Sequence, residues 1–314
     1  MKRLLRRLLF SRANRMLIGW GQRIVPPGFD GFSIYAVNRF FFRALNEGQL
    51  ITRASAISFK VFLAFFPALI VLLTLIPYIP IPDLQAQLLQ TFHDQMPGEV
   101  YIFIESQLND LVVMKHGALL SVSFLVGLYA ASNSIMAILL GFSGSSNLST
   151  RHSPLKQRLL SLGLLLAITL LMLVAIPVLT LSSAVMHFRE SKHILFSGLE
   201  KFGLYAAKWG ISTLLVLVMI GLLYNAGDPH ARRIRVFSPG AFLTLLLILL
   251  LSQGLAYFFS NITNYNALYG SIGTILAVQL WIYFNVIALL IGFELNTSIG
   301  RARRENSGEL RAKG

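Results

Sequence analysis

Six long apolar runs constrain this chain more than any other feature of it. They lie near 56–79, 118–142, 159–186, 202–224, 237–260 and 270–297. Each is about 20 residues or longer, enough for a helix to cross about 30 Å of hydrocarbon. Val61 to Ile79 is apolar apart from Thr74, and Pro77, Pro80 and Pro82 then stop the helix. The third run is long enough to tilt, or to kink at Pro177. None of the six alternates with period two, which excludes a transmembrane barrel. Two soluble domains are excluded by composition: 13% of the residues are charged and 55% hydrophobic, against about 25% charged in soluble domains. The expected fold is all-α, a polytopic membrane protein with six transmembrane helices.

Lysine and arginine mark the cytoplasmic side of short loops. Ten fall in residues 1–53, three in 143–158, three in 225–236 (Arg232, Arg233, Arg235) and five in 298–314. The alternate connections hold three, Lys115, Arg189 and Lys192. This asymmetry predicts a multi-pass membrane protein with both termini cytoplasmic. It also accounts for the net charge of +14 without nucleic-acid binding. With no cysteine, disulfides, thiolate metal sites and cysteine nucleophiles are excluded. The arginines that interrupt the first leucines argue against a cleaved signal peptide.

Three regions follow. Residues 1–53 form a basic cytoplasmic tail. Within it, 2–20 interleaves Leu4, Leu5, Leu8 and Leu9 with Arg3, Arg6 and Arg7, as a helix on an anionic leaflet does, or as a disordered basic tail does. Phe32 to Leu45 reads as an interfacial helix leading into the first span. Residues 54–300 form the six-helix domain, in which 80–117 is an external loop of two short helices broken at Pro97 and Gly98. Residues 301–314 are a second basic tail.

The informative residues are those that lipid should exclude. Arg53, Lys60, Pro67 and Thr74 recur every seven residues and share one helical stripe. Glu294, the one acid inside any run, reaches the depth of Lys60 when counted back from Arg301. Arg53 or Lys60 is its natural partner. Tyr129 and Asn133, with Ser132 and Ser134, lie at similar depth and could complete the cluster. Gln253, Gln279 and Asn285 form a second, uncharged set. Two readings stand: a clamp between the first and sixth spans, or the wall of a cytoplasm-facing polar cavity. The six histidines lack metal-binding spacing, and no phosphate-binding loop or nucleophile elbow occurs. No metal, cofactor or catalytic residue is expected.

Three strings carry a resemblance: ITRASAISFKVFLAFFPALIVLLTL at 51–75, SPGA at 238–241, and YGSIGTILAVQLWIYFNVIALLIGFELN at 269–296. In that order they closely resemble the YihY/BrkB family of bacterial inner-membrane proteins over most of residues 30–300. The resemblance implies six membrane helices and a role in envelope integrity and serum resistance, and some relatives bear a historical ribonuclease label. Lys60 departs from it, standing where a neutral residue is expected. The reading reached is a non-enzymatic protein that handles or transports a lipid or other anionic amphiphile, with anionic headgroups as partners and room for a homo-oligomer. The alternatives are a non-transporting envelope scaffold and, last, a membrane ribonuclease, which lacks the paired carboxylates or histidines that nuclease chemistry needs.

Overall fold

The computed structural model describes residues 25–306, apart from 27, 30, 48, 80–82, 96–97, 149–151, 192–197, 232–234 and 262–264. The amphipathic segment expected at 2–20 and the tail beyond 306 lie outside the described residues. Those described form nine α-helices, one 3-10 turn and no strand. Helix α1 (Ile34–Glu47) precedes α2 (Leu50–Leu75), which passes through Pro67 and ends in the 3-10 turn Ile76–Tyr78, where Pro77 breaks it. Two shorter helices follow, α3 (Leu84–Gln95) and α4 (Gly98–Val113). Then come α5 (Gly117–Ser143), α6 (Pro154–Ser191), α7 (Gly198–Gly227), α8 (Pro239–Asn261) and α9 (Tyr265–Asn306). Pro154 and Pro239 open their helices, where the missing N–H costs nothing.

Six of these helices, α2, α5, α6, α7, α8 and α9, are long and apolar enough to cross a membrane. They coincide in number and order with the six runs, and both ends of the expected 54–300 domain shift outward. Helix α2 starts at Leu50, inside the stretch taken as tail, so Arg53 lies in its first turn. Helix α9 continues past residue 300 to Asn306, because its last turns are held by tertiary contacts that sequence periodicity does not display. Arg301 Nη1 donates to the Ser146 carbonyl at 2.9 Å, and Arg304 Nη2 to that of Asn147 at 2.9 Å.

Helix α9 is the hub, packing on α8, α2 and α1. Its approach to α8 depends on two glycines, since a Cβ on Gly292 would run into Thr244 Oγ1, the Gly240 carbonyl and the Tyr224 hydroxyl. Helix α1 buries Val37, Phe40 and Ala44, an i, i+3, i+7 stripe, and the Arg301 guanidinium lies 5.4 Å from the Phe40 ring. Ahead of it, Gly28 has φ +89°, and a Cβ there would stand 2.8 Å from Pro239 Cγ.

The core occupies one end of the bundle. Phe142 stacks on Phe293 at 4.1 Å between ring centroids, and Tyr224 meets each edge-on at 5.6 Å. Ile57 and Leu290 close on Gly141 beside them. The C-terminal ends of α5, α7 and α9 and the N-terminal ends of α2, α6 and α8 supply nearly all of this core, so it lies at the end bearing the basic connections. Farther along, Leu72, Leu125, Trp209 and Tyr257 are exposed. A surface so apolar is consistent with lipid as its solvent.

Candidate functional site

Where α2, α5 and α9 converge at the basic end, Arg53 meets Glu294. The first turn of α2 presents Arg53 to α9, and its Nη2 donates to Glu294 Oε1 at 2.7 Å. Its Nη1 donates to the Gly141 carbonyl at 2.7 Å. Glu294 is 0% exposed and the Arg53 side chain 12%. The second carboxylate oxygen accepts from Ser145 Oγ at 2.5 Å. One buried anion therefore ties α2, α9 and the connection after α5 through its two oxygens. A carboxylate out of water is tolerated only when paired and hydrogen-bonded in this way.

A shell of uncharged groups supports the tie. Asn147 Nδ2 donates to Ser298 Oγ at 2.9 Å, and Ser298 Oγ donates to the Glu294 carbonyl at 2.6 Å. On the α8 side, the Gly240 N–H donates to Asn296 Oδ1, and Asn296 Nδ2 to Ser238 Oγ, both at 2.8 Å. Deeper in the bundle, the Tyr224 hydroxyl bonds with Thr244 Oγ1 and donates to the Leu289 carbonyl at 2.7 Å. Arg53 Nε is buried with no hydrogen-bond partner, so the guanidinium is incompletely satisfied.

Of the residues singled out in the sequence, Arg53 and Glu294 come together; Lys60, Tyr129 and Asn133 do not join them. Lys60 lies two turns farther along the Arg53 face of α2, about 10 Å by helical rise. It is half-buried, and its carbonyl accepts from Ser134 Oγ at 2.9 Å. Its ammonium has no hydrogen bond or ion pair among the described residues. Tyr129 is 63% exposed, with the Arg158 guanidinium 5.6 Å from its ring. Asn133 is half-buried and makes no hydrogen bond to the tie. Of the uncharged set, Gln253 is exposed, Asn285 Nδ2 returns to the Trp281 carbonyl at 2.7 Å, and Gln279 Oε1 is buried without a partner. The expected single polar cluster is thus two separate features, and Glu294 is sealed inside the bundle instead of lining an open vestibule.

Ser145, Asn147, Arg301 and Arg304 escaped the sequence reading. The first two sit in FSGSSNLS at 142–149, which reads as a flexible loop, and the arginines read as topology markers. The one available signal was a short polar connection between two spans whose neighbouring helix carries the lone buried acid. Near this end, His152 is held below the usual imidazole range by burial and then by Lys156, partly offset by the Ala226 carbonyl and Asp228. Among the described residues, no three histidine or acidic side chains gather as a metal site.

The family described as Virulence factor BrkB matches over residues 41–313. This chain belongs to that family. Among its BrkB-family relatives, the ribonuclease-like protein YfkH of Bacillus subtilis is 27% identical over 260 residues, 83% of this chain and 93% of YfkH. A UPF0761 membrane protein of Xanthomonas campestris pv. campestris is 30% identical over 110 residues, 35% of this chain and 26% of that protein. No solved structure matches. The three strings that carry the resemblance meet at the basic end. Arg53 comes from the first, Ser238 and Gly240 from the second, Glu294 and Asn296 from the third. In this BrkB-family chain they build the tie and its α8 buttress.

Proposed function

We propose that this protein handles an anionic amphiphile, a lipid or a molecule shaped like one, in the bacterial inner membrane. Lys60 contacts the anionic group, and the Arg53–Glu294 tie closes the cytoplasmic end. The observation that carries this reading is the half-buried residue Lys60, whose ammonium has no hydrogen-bond or ion-pair partner among the described residues although it stands two turns inside a span. An intramembrane cation is costly to insert, which favours a functional role for one without a protein counter-ion. The asymmetry of lysine and arginine supports cytoplasmic termini, and anionic headgroups are concentrated at that leaflet. Non-enzymatic action is part of the proposal: Glu294 is engaged by Arg53, and Glu305 faces Arg39 at 3.7 Å on the rim. The ribonuclease-like name belongs to YfkH.

Purified protein in phosphatidylcholine nanodiscs, titrated with phosphatidylglycerol, provides the test. A lysine near an anionic surface contributes about 1 kcal/mol, so Lys60→Met should weaken binding about fivefold at unchanged thermal stability. The same variant should fail to complement a deletion strain at matched protein level. Unchanged binding with full complementation would remove Lys60 from the site and favour a non-transporting envelope scaffold, a role the buried tie would serve equally well.

A further inference from the structure

Gly127 and Gly141 turn one face of α5 toward Pro67 and Ile57 of α2. Tyr129, two residues from Gly127, therefore points away from α2, and Arg158 of α6 meets it there. Gln157 Nε2 donates to Ser143 Oγ at 2.9 Å, which sets this turn of α6 beside the last turn of α5. Tyr129 lies about 20 Å farther along α5 by helical rise. An arginine near the end of a span ordinarily bends back to the headgroups. The Arg158 side chain runs the other way, toward the middle of the helix, and its guanidinium stops 5.6 Å from the centre of the Tyr129 ring.

No acid of either helix neutralises this cation: α5 has none, and α6 has none before Glu190. Arg158 is half-buried, and neither its guanidinium nor the Tyr129 hydroxyl has a hydrogen bond or ion pair among the described residues. A ring face compensates an arginine in hydrocarbon only in part, and all the guanidinium N–H groups stay available. The surroundings are those of a lipid-facing seam. Tyr129 is 63% exposed, and one turn along the two helices Leu125 and Leu162 are 64% and 43% exposed.

We propose that Arg158 and Tyr129 form a binding site for the phosphate of an anionic lipid, on the membrane-facing seam between α5 and α6. The planar guanidinium takes two phosphate oxygens through paired N–H donors, and the tyrosine hydroxyl donates to the same group. The acyl chains lie along Leu125 and Leu162. A lipid without a cation of its own neutralises Arg158, which a choline lipid does not. Lys60 belongs to the α2 side of α5, where its carbonyl meets Ser134. The seam site uses other residues on another face and does not depend on the reading of Lys60.

The chain has no cysteine, so Leu162→Cys carries a bimane fluorophore at the site, and Leu246→Cys on α8, at a position 54% exposed, carries it as the control. Both are placed in phosphatidylcholine nanodiscs with increasing fractions of phosphatidylglycerol brominated on its acyl chains, which quenches a fluorophore beside it. At low fractions quenching should be stronger at position 162 than at 246, and brominated phosphatidylcholine should quench both alike. Arg158→Gln should raise the half-quenching fraction about tenfold, as loss of a charge-assisted contact does. Arg158→Lys keeps the charge without the fork and should recover only part of this. Tyr129→Leu, a second variant, should weaken binding about threefold. Equal quenching at the two positions, or an unchanged curve in both Arg158→Gln and Tyr129→Leu, overturns the site. Full recovery in Arg158→Lys would reduce it to general surface charge, and displacement by inorganic phosphate would assign it to a free anion; either overturns the lipid site. Lys60→Met should leave the curve at position 162 unchanged. Loss of the excess quenching in that variant would assign the lipid to Lys60 and overturn the seam site alone.

Discussion

Breaking the Arg53–Glu294 pair from one side should cost far more than removing it whole. Glu294→Gln keeps the shape but withdraws the charge, leaving a guanidinium 12% exposed with no counter-ion. It also presents an amide N–H₂ to either Arg53 or Ser145, both of which are donors. Stranding one member of a buried pair costs about 3–5 kcal/mol. With Glu294 at 0% exposure, little solvent screening reduces this figure. Arg53→Leu should cost a similar amount, since the carboxylate then keeps only Ser145. The double variant Arg53→Leu/Glu294→Leu buries no charge and should recover about 2 kcal/mol or more relative to the sum of the singles. Arg39–Glu305, 3.7 Å apart with side chains 67% and 50% exposed, is the internal control. Breaking that pair should cost no more than about 0.5 kcal/mol after screening. Unfolding in mixed micelles, followed by the fluorescence of the three tryptophans, reports all of these. Wild-type stability in Glu294→Gln, or a double variant equal to the sum of the singles, would refute the tie.

Gly292→Ala should force α8 from α9 and cost about 3 kcal/mol through overpacking and the disturbed Tyr224–Thr244 bonds. Gly254→Ala, with open space around the new methyl, should be neutral or stabilise by up to about 1 kcal/mol; equal stability of the two variants would contradict the close approach. His152, held below its usual value of 6.5, is favoured neutral by the fold. Its contribution is complete above about pH 6.5 and is lost as pH falls through the depressed value, so His152→Gln should flatten that part of the acid-denaturation profile, and an unchanged profile would count against it. A reporter active only in the cytoplasm should give signal when fused after Gly314 and none when inserted near Gln95; the reverse would overturn the orientation.

The sequence by itself determined the number and order of the membrane helices, because hydrocarbon imposes a length and a polarity that no tertiary contact can waive. It also determined that Glu294 needs a basic partner, because a lone acid in a span has few alternatives. It left the choice between Arg53 and Lys60 open, since both lie on one stripe of α2 and helical rise gives depth without giving rotation or approach. Only the tertiary structure decided that choice. Gly141 brings α5 against Ile57, and Gly240 and Gly292 bring α8 against α9. These contacts set Arg53 beside Glu294 and leave Lys60 farther along the helix. The same packing turned Ser145 from a loop residue into a donor to the buried carboxylate and Asn147 into a support beside it, and it extended α9 beyond its expected end. Tyr129 and Asn133 shared a depth with the cluster but face elsewhere, because residues at one level of a membrane meet only if their helices rotate toward a common axis. That rotation is decided by the small residues at which helices touch, scattered along the whole chain.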